Sequence, residues 1–151
     1  IKTEKEIIAM DLNKKIEDIS HAEYKLLLII GQPGSGKSKV IRQYSEETGI
    51  PILDLDKIFY HTPSEKLLPE MKNFLTTYHQ KVLLLDNKKI LYAKNSQIDL
   101  LAFLKELSKD IIVVATWNGK IEDGQLFHFR NDTSEDLIYS TDNNDFKYIL
   151  C

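Results

Sequence analysis

At 151 residues and 42% hydrophobic content, the chain is the size of one domain with a real core, and 1–151 is read as a single domain. Its net charge is −3 with acidic and basic residues interspersed, which excludes a general grip on DNA or RNA; its apolar runs are strand-sized, far short of the ~20 residues of a membrane span. The single cysteine, Cys151, excludes an internal disulfide and no secretory signal pattern opens the chain, so a cytoplasmic location is expected.

Residues 4–19 predict an amphipathic helix with Ile7, Ile8, Leu12, Ile16 and Ile19 as its apolar stripe. Residues 24–30 form an apolar run of buried-strand length. It leads into Gly31-Gln32-Pro33-Gly34-Ser35-Gly36-Lys37-Ser38, which fits G-x-x-x-x-G-K-[ST] at every fixed position. Val40, Ile41 and Tyr44 then recur at helical spacing to about Glu47, and Thr48-Gly49-Ile50-Pro51 ends that helix. Strand, glycine loop and helix are what a phosphate-binding loop requires. The glycines let the backbone curl around a phosphate chain and aim its N–H groups inward. Lys37 supplies a mobile positive charge for the outer phosphates, and the Ser38 hydroxyl is a hard oxygen ligand for Mg²⁺. The helix that follows turns its positive end toward the anion. The expected ligand is a nucleoside triphosphate, held by residues 31–38 together with Lys39.

Beyond the loop, Ile52-Leu53-Asp54-Leu55-Asp56 reads as a second strand with an acidic end. Ser64-Glu65-Lys66-Leu67 starts a helix, interrupted by Pro69 and continued to about Tyr78. Val82–Asp86 is a third strand, apolar enough to be covered on both faces. Asp99–Lys109 is a helix, and Ile111–Thr116 a fourth buried strand. The tail differs: 119–124 is turn-like, 126–130 alternates like a hairpin strand, 137–140 reads as another short strand, and 141–145 gives no clear element. Four buried strands separated by helices imply an α/β fold, a parallel sheet sandwiched by helices, with a short hairpin-like tail. The 111–116 strand is expected between 24–30 and 82–86. Ligands in such sheets bind at the carboxyl ends of the strands.

Asp86 stands where an acid should hold Mg²⁺ alongside Ser38, though an Asp at a strand end is also a common cap or turn residue. Asn87 follows, where many ATPases place a Glu as general base. An amide can orient water but cannot accept its proton at neutral pH, so hydrolysis is expected to be slow. Asp54 and Asp56 are the nearest substitutes for a base, or else loop carboxylates facing solvent. Asn118 is the preferred contact for the outermost phosphate, with Thr116 in reserve; Asn118-Gly119 is equally an ordinary turn signal. Lys37, Asn87, Asn118 and Thr116 make up the candidate catalytic set. Trp117 reads as a packing residue. Only Arg42 and Arg130 are arginines among 20 basic residues. Arg42 reads as a surface residue. Arg130 reads either as a finger reaching a neighbouring subunit or as a solvated strand-end charge.

Together these motifs resemble the additional-strand, AAA-type ATPase core. More narrowly, Leu83-Leu84-Leu85-Asp86-Asn87 with Ile90-Leu91-Tyr92, then Ala115-Thr116-Trp117-Asn118-Gly119 and a closing Asp145-Phe146-Lys147-Tyr148, resemble the BrxF family. Those are small P-loop proteins of type III BREX, a bacterial anti-phage system. The closing motif departs from the His-Pro-Glu-Tyr expected of that family. The resemblance implies a P-loop NTPase without a C-terminal helical lid, binding ATP or ADP with Mg²⁺ and engaging other defence-system proteins or further copies of itself. A rival reading is a small-molecule or nucleotide kinase, on the likeness of Ile50–Tyr60 to an acceptor-binding strand; the chain offers no arginine-bearing lid for it. A third is a nucleotide-gated interaction module that binds ATP and hardly turns it over.

Overall fold

The computed structural model describes residues 1, 3–93, 96–130, 135–142 and 145–151. Helix α1 (Glu4–Ile19) opens with a reciprocal capping box between Thr3 and Glu6, which satisfies two of the amide donors a helix start leaves over. Strand β1 (Leu26–Gly31) follows, then α2 (Lys37–Thr48), β2 (Ile52–Leu53), the short α3 (Leu55–Ile58) and α4 (Ser64–Leu75). Strand β3 (Val82–Leu85) leads to one 3-10 turn (Lys89–Leu91) and α5 (Leu100–Ser108). The described remainder is strand: β4 (Ile112–Glu122), β5 (Gln125–His128), β6 (Leu137–Ser140) and β7 (Lys147–Leu150).

The strands β2, β3, β4, β1 and β7 lie parallel in that order, and β4 continues into an antiparallel ribbon with β5 and β6. The expected position of β4 between β1 and β3 is observed. Because side chains alternate along a strand, the sheet carries a core on each face. Leu26, Leu28, Ile30, Leu83, Leu85, Val113 and Ala115 pack with α4 and α5 on one side. Leu27, Ile29, Leu84 and Val114 pack with Leu12 and Ile16 of α1 and Ile41 and Tyr44 of α2 on the other.

Four expectations are corrected. The second strand ends at Leu53, because the Asp54 side chain accepts from Lys57 N at 3.0 Å and starts α3. Helix α4 runs through Pro69 without a break and stops at Leu75. The fourth strand does not end at Thr116 but carries Trp117, Asn118 and Gly119 onward to Glu122. Asp123 (φ 53) and Gly124 (φ 74) then turn the chain, the paired positive φ values of a tight hairpin. The tail is more than a hairpin, since β7 adds a fifth parallel strand along the free edge of β1. Its neighbours anchor it: Phe146 is buried, and Asp145 pairs with Lys105 of α5 at 2.5 Å.

Candidate functional site

Parallel registration brings the carboxyl ends of β1, β3 and β4 together. Gly31 lies opposite Asn118, and Leu85 opposite Ala115, so the glycine loop, Asp86 and Thr116–Asn118 share one edge of the sheet. The loop passes through Gly36 at φ 101, a conformation open to glycine and strained for other residues, and Gly36 is the N-cap of α2. Gly36 has no side chain to cap this 12-residue helix, so no N-cap side chain takes up its first-turn amides. The Lys37 ammonium folds back onto the Gln32 carbonyl at 2.8 Å. Burial lowers its pKa below the usual lysine value, against opposing pulls from Cys151 and Asp86. Ser38 and Lys39 are exposed. Beside the loop, a groove of about 660 Å³ runs between α1 and α2, bordered by Ile8, Leu12, Ser35, Lys39, Val40 and Leu150.

Behind the loop, Asp86 is held by its neighbour strand: the Thr116 hydroxyl donates to Asp86 Oδ1 at 2.8 Å. Asn87 does not stand free. Its Nδ2 donates to Asp54 Oδ2 at 3.1 Å and its carbonyl accepts from Leu55 N at 2.8 Å. Asp56 accepts from Lys89 N and Ile90 N at 3.0 and 2.7 Å. Both acids expected as a base or as solvated loop charges therefore serve as caps, and Asp54 is tied to Asn87.

Sequence reasoning missed Lys88. After Asp86-Asn87 a lysine reads as a surface charge, yet this side chain is only 4% exposed. Its Nζ donates to the Thr116 carbonyl, to Thr116 Oγ1 at 3.3 Å and to the Asp86 carbonyl at 3.4 Å. Burial brings its pKa down to about 8; Asp86 and Asp56 oppose that shift and Lys37 adds to it. Among the described residues no carboxylate forms an ion pair with it.

Above this edge the β4–β5 hairpin brings in further polar groups. Trp117 is fully buried, as its packing role requires, and its indole N–H donates to the Phe127 carbonyl at 2.9 Å. That bond crosses Gly119, where any Cβ would strike the Phe127 carbonyl oxygen. His128 lies between the rings of Tyr92 and Trp117, centroids 4.4 and 4.8 Å away, and neither ring nitrogen has a hydrogen-bond partner among the described residues. Burial pushes its pKa down to about 3, helped by the positive charges of Lys88, Arg130 and Lys37. Asn118 Oδ1 and Arg130 Nε are likewise buried without a partner among the described residues. Arg130 is half-buried with its Nε enclosed, whereas Arg42 is exposed as expected.

These residues fit a polyphosphate with Mg²⁺. The uncapped helix start and Lys37 suit the phosphates. Ser38 and Asp86 are the few hard oxygens that Mg²⁺ takes from protein, since it keeps several waters and phosphate oxygens. In comparison with known proteins, the chain matches no family model, no curated protein and no solved structure.

Proposed function

We propose that this chain binds ATP with Mg²⁺ and hydrolyses it slowly, as a nucleotide-dependent component of a bacterial BREX-type phage-defence complex. One observation carries the nucleotide reading: a glycine loop ends in an uncapped helix, with its lysine and Asp86 brought to the same sheet edge. Two more support the ATPase over the kinase. The strand bearing Thr116 and Asn118 lies between β1 and β3, the additional-strand order. The acids after β2 cap local structure in place of lining an acceptor pocket.

Bound Mg²⁺ would neutralise charge on the phosphate oxygens. The chain's own residues do the rest. Lys37 exchanges the Gln32 carbonyl for the outer phosphates, Ser38 and Asp86 hold the metal side, and Asn118 reaches the outermost phosphate from beside Gly31. The groove between α1 and α2 receives the nucleoside. Asn87, engaged with Asp54, orients water without taking its proton, which keeps turnover slow. The link to phage defence, to other defence proteins and to self-assembly rests on the BrxF resemblance.

Calorimetry with Mg·ATP tests the site. Lys37→Ala should weaken binding by roughly 100-fold, about 2.7 kcal/mol, with an unchanged melting temperature. Equal affinity of the two proteins refutes the phosphate-loop reading. A pull-down from the native host with and without ATP tests the assembly, and identical captures under both conditions would remove nucleotide dependence from the proposal.

A further inference from the structure

Lys88 is the feature that the nucleotide reading leaves unused. An ammonium can only donate hydrogen bonds, whereas a threonine hydroxyl has one proton and two lone pairs. With Lys88 Nζ at 3.3 Å from Thr116 Oγ1 and also on the Thr116 carbonyl, the hydroxyl must accept on that side. Its proton is then directed to Asp86 Oδ1, 2.8 Å away. Lys88 simultaneously takes the Asp86 carbonyl, tying the end of β3 to β4. The result is a polarised chain from Lys88 through Thr116 to Asp86. It commits Oδ1 and leaves Oδ2 as the carboxylate oxygen for a cation.

We propose that Lys88 is a positioning residue that fixes the Thr116 hydroxyl and thereby holds Asp86 in the orientation a divalent cation needs beside bound nucleotide. This rests on the nucleotide reading above. It also divides labour between two residues of β4: Thr116 serves the acid, and the outermost phosphate is left to Asn118.

Two substitutions isolate the device. Lys88→Met keeps the bulk and removes a charge that burial penalises, at the cost of the hydrogen bonds Nζ makes to the Thr116 and Asp86 carbonyls. Thr116→Val keeps the shape and removes the hydroxyl, and Thr116→Ser returns it. Affinity for a fluorescent ATP analogue is measured in EDTA and in Mg²⁺, with a thermal melt of each protein. Wild type should bind in both and gain affinity with Mg²⁺. Lys88→Met should keep the metal-free affinity and the fold but lose roughly tenfold of the Mg²⁺ gain, by the weight commonly seen for residues behind metal ligands, and Thr116→Val should lose that gain to the same extent. Thr116→Ser should recover that gain. Full Mg²⁺ gain in Lys88→Met or Thr116→Val overturns the proposal, as does a parallel loss of metal-free affinity and melting temperature in Lys88→Met, which marks a structural role. Wild type that binds no analogue in either buffer instead fails the nucleotide reading, and the proposal with it.

Discussion

The two halves of β4 follow different rules. From Ile112 to Trp117 the strand is flanked by parallel neighbours and largely buried, and its apolar side chains fill both cores. From Asn118 onward the neighbours are the loop strand and an antiparallel hairpin, and polar groups enter the interior beside Leu126: Asn118, His128 across the ribbon and Arg130 beyond it each keep a buried atom with no partner among the described residues. The first half has every incentive to stay closed, because apolar burial stabilises and its buried polar residue Thr116 is hydrogen-bonded to Asp86. The second half keeps polar groups at the cost of incomplete pairing, which is where ligand chemistry is expected when local rules are broken.

Trp117 is the junction, so its loss should have the largest effect. Trp117→Ala removes a fully buried side chain and strands the Phe127 carbonyl; a loss of about 3–5 kcal/mol is expected in denaturant unfolding. A cost under about 1 kcal/mol would show that the halves are not joined there. Gly119→Ala should cost less, about 1–3 kcal/mol, as the hairpin shifts to clear the Phe127 oxygen. Its damage should fall on amide protection of β4–β5, with β1 and β3 spared; uniform loss of protection would contradict a separable hairpin. At neutral pH the smallest effect concerns His128. Its folded pKa of about 3 lies below the ordinary 6.5, so the unfolded chain takes the proton first as the pH falls. Stability from the neutral ring is present above pH 6.5 and is lost as the pH falls from there toward 3, at up to roughly 1.4 kcal/mol per pH unit. His128→Phe suits the aromatic surroundings and removes both unpartnered nitrogens. It should melt no lower at pH 7.5 and lose stability less steeply on acidification; identical pH slopes would mean that His128 is not held neutral.

How much of this could be read from residues alone follows the same division. The strands of β1, β3 and the first half of β4 are uninterrupted apolar runs, because both of their faces are covered, and such runs cannot be mistaken for surface. The glycine loop was legible for a different reason: its backbone demands particular residues at fixed spacing. Strand β7 was not legible, since an edge strand with Ile149 as its buried residue shows no pattern. The continuation of β4 was misread as a turn starting at Gly119, although Asp123-Gly124 marks the hairpin. Asp54 was placed at a strand end when it caps a helix of four residues, too short to show a period. Lys88 is invisible because nothing local distinguishes a buried lysine from a solvated one; the Thr116 carbonyl that helps hold it lies 28 positions away in sequence.

Strand β7 also bears on the order of events during folding. Leu27 pairs with Lys147, and the amide of Cys151 closes onto the Ile30 carbonyl, one residue before the loop begins. Contacts between such distant segments are made late, because the entropy of closing the intervening chain must be met first. The strand that presents the phosphate loop therefore acquires its second neighbour near the end of the reaction. A refolding time course should show the inner sheet protected before the loop strand's outer edge, and capacity for an anionic ligand should emerge with the slower phase.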